Sequence, residues 1–94
     1  MVGNRESAFA LLDGYARKKH SCFLAEMDLT RNGGAYRLCF RPLGLDPQSP
    51  RRYVCRYSTV DADEVERIVL AGELTDEVTE ALDAALPSLG ALAT

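Results

Sequence analysis

Asn32-Gly33-Gly34 stands between two runs in which apolar and polar residues alternate, "SCFLAEMDLT" at 21–30 and "AYRLCFR" at 35–41. Asn-Gly between alternating runs is a strong hairpin signal, because both central positions of a type I′ turn need positive φ. With Asn32-Gly33 as a two-residue loop, Thr30 faces Ala35, Leu29 faces Tyr36, Met27 faces Leu38 and Ala25 faces Phe40. The last three pairs are apolar and share one face. On the other face Asp28 meets Arg37, an opposite-charge pair worth about 0.2–1 kcal/mol. A slip of one residue would undo both agreements. This register sends Phe23, Ala25, Met27 and Leu29 to the core and Cys22, Leu24, Glu26 and Asp28 away from it.

The flanking segments read as helices and one more strand. Residues 5–18 carry Phe9, Leu12 and Ala16 at i, i+3 and i+7, flanked by Ala8, Leu11 and Tyr15, which makes one apolar stripe. Asn4 is placed to cap this helix, and Arg17, Lys18 and Lys19 suit its C-terminal end. Residues 43–51 hold two prolines and a glycine and read as a loop. Residues 52–60 alternate again, with Tyr53, Cys55 and Tyr57 on one face and Arg52, Val54, Arg56 and Ser58 on the other. Asp61 and Glu64 have capping-box spacing, Val60 and Val65 have staple spacing, and Gly72 suits a helix C-terminus. A last helix starts at Thr75, carries Val78, Ala81, Leu82, Ala85 and Leu86, and stops at Pro87. The fold expected is α+β: α-β-β-β-α-α, a three-stranded antiparallel meander with helices packed on one face.

At 94 residues the chain is expected to form a single small domain, 1–94. No apolar run approaches the roughly 20 residues that span a bilayer. The opening residues show no apolar core of a secretory signal, so a cytoplasmic location without membrane contact is expected. Three cysteines are an odd number, which argues for reduced thiols over a disulfide framework. The net charge of −3 hides a split. Residues 1–60 carry 10 Lys/Arg and 5 Asp/Glu, whereas residues 61–94 carry 1 and 9.

The braid of arginine and aromatics in "AYRLCFR" and "RRYVCRY" follows from strand alternation. Tyr36, Phe40, Tyr53 and Tyr57 are expected to enter the core. Arg37, Arg41, Arg52 and Arg56 are left on the outer face, with Leu24 and Val54 as apolar contacts among them. Arginine mixed with apolar residues resembles the composition of an interface. A second candidate surface is the acidic helix face, Asp63, Glu66 and Glu77. Phosphate binding by the arginines is the alternative, weakened by aromatics that point inward and by the absence of an RNP-type pattern.

Catalytic and metal chemistry find less support. His20, Cys22, Cys39 and Cys55 are metal-ligand types, but Cys22 and Cys39 fall ~13 Å apart along the hairpin at ~3.3 Å per residue, and Cys55 is expected on the opposite face. His20 has no nucleophile placed beside it by any motif. A small enzyme or redox protein would have to rest on Cys39, with Arg37 and Arg41 two residues away to favour the thiolate. No catalytic residue, metal or cofactor is therefore expected.

No family motif is present, and the element order is similar to the opening half of bacterial secretion chaperones, without their later strands, a likeness of fold alone. The function expected is a non-enzymatic protein-binding module: an adaptor, a chaperone or an inhibitor of the size of phage-encoded or immunity-type inhibitors. Pairing of two copies through a free strand or the sheet face is a further expectation.

Overall fold

A computed structural model describes residues 4–87. The elements are α1 (Asn4–His20), β1 (Cys22–Leu29), β2 (Ala35–Pro42), a single 3₁₀ turn (Pro50–Tyr53), β3 (Arg56–Asp61), α2 (Ala62–Ala71) and α3 (Asp76–Ala85). The strands form one antiparallel sheet in the order β1-β2-β3. The α-β-β-β-α-α succession is the expected one. The Asn4 side chain, expected as a cap, and the tail 88–94 lie outside the described residues.

The core lies between the helices and one face of the sheet. Ala8, Leu12 and Ala16 of α1 are fully buried at spacings of four. Val65 and Ile68 of α2, Val78 and Leu82 of α3, and Leu86 beyond it meet them over Met27, Leu38, Phe40 and Val60. Each large apolar side chain so buried contributes about 1.5–3 kcal/mol. Among the described residues no helix is long and apolar enough to cross a membrane.

The hairpin keeps its expected pairs near the turn: Leu29 with Tyr36, Asp28 with Arg37, Met27 with Leu38 and Glu26 with Cys39. The turn itself differs from type I′. Asn32 is not among the residues at positive φ, and Gly33 alone in the loop takes that conformation, at φ 72°. The loop has four residues, closed by the Thr30 N–H donating to the Ala35 carbonyl at 2.8 Å. Asn32 accepts from the Thr30 hydroxyl at 2.8 Å and from the Gly34 N–H at 3.1 Å. Such a side-chain turn satisfies the backbone without forcing asparagine into the left-handed region.

Further along, β1 departs from plain alternation. A bulge between Leu24 and Glu26 leaves Ala25 unpaired, so that Leu24, not Ala25, sits opposite Phe40. Cys22 and Leu24 are consequently buried in the core, at 0% and 3% exposure. This corrects the outward placement of both. Cys22 and Leu24 share an even phase with the charged Glu26 and Asp28, while Met27 holds the odd phase. One extra residue lets both apolar sets face inward.

α1 runs along the free edge of β1 and satisfies part of its main chain. The Leu24 N–H donates to Asp13 Oδ1 at 2.9 Å, and the Arg5 guanidinium donates to the Met27 carbonyl. Covering an edge in this way blunts unwanted strand pairing. The chain passes from α1 to β1 through Ser21 alone, at φ 52°. A non-glycine residue there costs about 1–2 kcal/mol.

β3 begins four residues later than expected. Ser49 caps the 3₁₀ turn, its Oγ accepting from the Arg51 N–H at 3.2 Å, and Pro50 fills the first turn. Ser-Pro is a helix-start pattern, since proline supplies a preset φ where no N–H is needed. Arg52 and Tyr53 therefore belong to the turn and not to the strand. At the far end β3 runs directly into α2. Asp61 is the N-cap but makes no side-chain cap bond; the expected capping box is not formed, because Glu64 turns instead to Thr75 and Arg67. Gly72 closes α2 at φ 74°, its N–H donating to the Ile68 carbonyl at 2.8 Å.

Candidate functional site: the outer sheet face

The helices cover one side of the sheet, and of the candidate residues the other side carries Arg37 and Arg41. β2 alternates Leu38 and Phe40 inward with Arg37, Cys39 and Arg41 outward. In β3 the pairings place Tyr57 opposite Cys39, Thr59 opposite Arg37, Val60 opposite Tyr36 and Arg56 opposite Phe40. The face expected for β3 is thus inverted. Val60 is the strand's buried residue, at 5% exposure, and its phase carries Ser58 and Arg56 toward the helix side. A β-branched apolar side chain fits that slot without a hydroxyl that would need a partner.

Several expectations change accordingly. Arg37 and Arg41 are on the outer face, as expected. Arg56 lies on the opposite side of the sheet, and Arg52 and Val54 sit in and after the 3₁₀ turn. Leu24 is in the core and cannot serve as a surface contact. Of the four aromatics assigned to the core, Phe40 is fully buried and Tyr36 packs against its rim, but Tyr53 and Tyr57 are 62% and 54% exposed.

The two exposed tyrosines each lie under an arginine. The Arg37 guanidinium is 4.1 Å from the centroid of Tyr57, and that of Arg52 is 4.5 Å from the centroid of Tyr53. Arg37 thus takes the ring of Tyr57 as its close partner, although Asp28 is its neighbour in register. The face is not uniformly basic. Arg37 and Arg41 share it with Glu26, Asp28 and Asp61, whose carboxylates offset the field.

Cys39 occupies the middle of this face yet is only 3% exposed. It floors a dimple of about 70 Å³ bordered by Glu26, Asp28, Arg37 and Tyr57. Burial raises its thiol pKa first, and the adjoining Cys55 raises it further, against a smaller lowering by Arg41. The environment therefore favours the protonated thiol over an activated thiolate. Cys55 lies beside Cys39, which corrects its expected placement on the opposite face.

The second candidate surface is exposed as expected, with Asp63 and Glu66 on α2 and Glu77 on α3. Glu77 borders a cleft of about 150 Å³ with Thr59, Val60, Asp61, Glu64, Val78 and Ala81. Glu64 accepts from the Thr75 hydroxyl at 2.8 Å and pairs with Arg67, and the Thr75 bond is the main reason its carboxyl pKa is lowered. Among the described residues no group of three or more His, Cys, Asp or Glu is arranged to hold a metal ion.

One cluster was not visible in the sequence. Asp83 of α3 accepts from the Tyr15 hydroxyl at 2.6 Å, lies 2.7 Å from His20 Nε2 and is 3.7 Å from Lys19 Nζ. His20, 9% exposed in its side chain, has a partner 63 residues away, which no local spacing could reveal. Apart from helix phase, nothing in the sequence signals it. The geometry ties α1 to α3.

Comparison with protein-family models, with curated proteins and with solved structures finds no match to this chain.

Proposed function

We propose that the chain is a non-enzymatic, cytoplasmic protein-binding module, an adaptor, chaperone or inhibitor that acts by occupying a protein partner. The observation that carries this reading is the pair of exposed tyrosines, Tyr53 and Tyr57, each stacked under an arginine. Tyrosine and arginine are the residues most enriched where binding energy concentrates in protein interfaces, and the stack holds both in place before a partner arrives. The docking surface is accordingly Arg37, Arg41, Tyr57, Arg52, Tyr53 and Val54. The acidic face of Asp63, Glu66 and Glu77 is the second surface, and pairing of two copies is the simplest competing use of either.

A nucleic-acid reading gains from the same tyrosines, because bases stack on exposed aromatics. Glu26, Asp28 and Asp61 on that face oppose phosphate and put this reading second. Titration of labelled single- and double-stranded oligonucleotides across a salt series separates the two. A protein-binding module gives no saturable binding at low salt; tight binding with a steep negative salt slope overturns it. Affinity capture from the native host then compares the wild type with Arg37→Glu and Tyr57→Ala. A partner retained by the wild type and lost on both variants, with unchanged circular dichroism, supports the surface. Equal retention by all three moves the site elsewhere.

A further inference from the structure

Three cysteines in one small chain divide, in the structure, into one and two. Cys22 is fully buried in the core, and burial, followed by the charge of Asp13, pushes its thiol pKa up to about 11. It is chemically silent. Cys39 and Cys55 are placed differently. Cys39 pairs with Tyr57 across the sheet, and Cys55 lies two residues before Tyr57 in the chain, one residue short of β3. The Cys55 thiol is near enough to that of Cys39 to help raise its pKa, and it approaches the Tyr53 carbonyl at 3.5 Å.

We propose that Cys39 and Cys55 form a redox-active dithiol, which a hydroperoxide converts to an intramolecular disulfide. Diagonal neighbours in a sheet have Cα atoms about 7–8 Å apart, and a disulfide needs about 4.4–6.8 Å. The gap is small and lies where the chain can close it. Val54 and Cys55 form the link between the 3₁₀ turn and β3, and Cys55 takes no part in the β2–β3 ladder. Closing the bond ties the turn with Arg52 and Tyr53 to the face that bears Arg37 and Tyr57.

The half-exposed Cys55 is the first to react. Its thiolate attacks one peroxide oxygen, the O–O bond breaks, and a sulfenic acid forms with release of water (for hydrogen peroxide). Cys39 then loses its proton and attacks the Cys55 sulfur. The S–S bond forms, and the sulfenic oxygen leaves as a second water. Two thiols are oxidised by two electrons, and one peroxide is reduced to two waters. The buried Cys39 is shielded from direct attack and serves as the resolving thiol.

The test exposes the full chain, fully reduced and then freed of reductant, to hydrogen peroxide, followed by alkylation under denaturing conditions and intact-mass and tryptic analysis. Cleavage after Arg37, Arg51, Arg52 and Arg56 separates Cys39 from Cys55. The expected product is monomeric, lighter by two hydrogens, with the Cys39 and Cys55 peptides linked and Cys22 still alkylated. Cys55→Ser and Cys39→Ala should each abolish the linkage, and circular dichroism of both variants confirms that the fold remains. The proposal is overturned by Cys55 sulfinic acid beside a free Cys39, by any linkage that involves Cys22, or by a disulfide dimer as the main product.

Discussion

Asp83 and Tyr15, on the third and first helices, share a hydrogen bond of 2.6 Å. It joins α1 to α3 across the fold, with His20 on the same carboxylate oxygen. The bond from Tyr15, then that from His20, holds the Asp83 pKa below its ordinary 3.8. A folded-state pKa below the unfolded value adds stability that is present above the unfolded value and lost as pH falls through the folded one. Asp83→Asn is therefore expected to lower the denaturation midpoint at neutral pH. The difference from wild type should shrink below about pH 4, near the reference aspartate value. Urea melts of both proteins at pH 7 and pH 3 check this; an equal difference at both would remove Asp83 from the linkage.

The bulge predicts an unequal pair of substitutions. Leu24→Ala should cost about 2–5 kcal/mol, the range for truncating a buried leucine. Phe23→Ala should cost clearly less, because Phe23 is only half-buried, under the Arg17 guanidinium. Plain alternation would reverse the order, so two chemical melts decide between the registers.

Two residues at positive φ should respond in opposite directions. Gly72→Ala should destabilise by about 1–2 kcal/mol, the left-handed penalty for an L-residue, and open space around the new Cβ leaves the backbone as the only cause. Ser21→Gly should stabilise by up to about 1 kcal/mol, since it relieves the same penalty less the flexibility that glycine adds. Thermal melts measure both, and a fall in stability for Ser21→Gly would mean that the serine side chain holds the turn.

Thr75 has two roles. Its hydroxyl oxygen accepts from the Val78 N–H at 3.4 Å and its hydroxyl donates to Glu64 at 2.8 Å. Thr75→Ala should cost about 0.5–2 kcal/mol through the lost cap, and Thr75→Asn should recover most of it. Equal losses for both would place the effect in the Glu64 contact.

The stacked arginines should matter little to folding. Arg37→Ala should cost no more than about 0.5–1 kcal/mol, the worth of an exposed cation–π contact. A loss of several kcal/mol in a urea melt would show the outer face to be part of the folding core and would argue against its use as a docking surface.

The parts of the fold that rest on nearby residues were legible. Helix α1 followed from its stripe, α2 from Gly72, α3 from Thr75 and Pro87, and the hairpin pairs next to the turn from Asn32-Gly33-Gly34. Strand phase is less local, because one extra residue or a competing apolar side chain inverts every position beyond it. Cys22 and Leu24 face the core, opposite to plain alternation, because the bulge at Ala25 shifts the phase. Tyr57 and Arg56 take the faces opposite to those expected because Val60, and not the aromatics, fills the buried phase of β3. The Ser49-Pro50 start of the 3₁₀ turn was present in the sequence and would have removed Arg52 and Tyr53 from the strand. The outer face is half legible: the alternation of β2 puts Arg37 and Arg41 on it, whereas the exposed tyrosines and the Cys39–Cys55 neighbourhood require the register of β3. Nothing local foretold the grip of Asp83 on His20.

Ala25 has no partner in the ladder, while Leu24 and Glu26 on either side face consecutive residues of β2. The strand is therefore one residue longer than its pairing requires. Deleting Ala25 would join the two phases into an unbroken ribbon with every partner kept, whereas deleting Asp28 would swing Met27 out of the interior. Of the positions in β1, this is where a change in chain length should be survivable. A shortened chain that still melts cooperatively would mark Ala25 as a site of tolerated length variation within a strand, and one that fails to fold would show that the local twist it introduces is itself required.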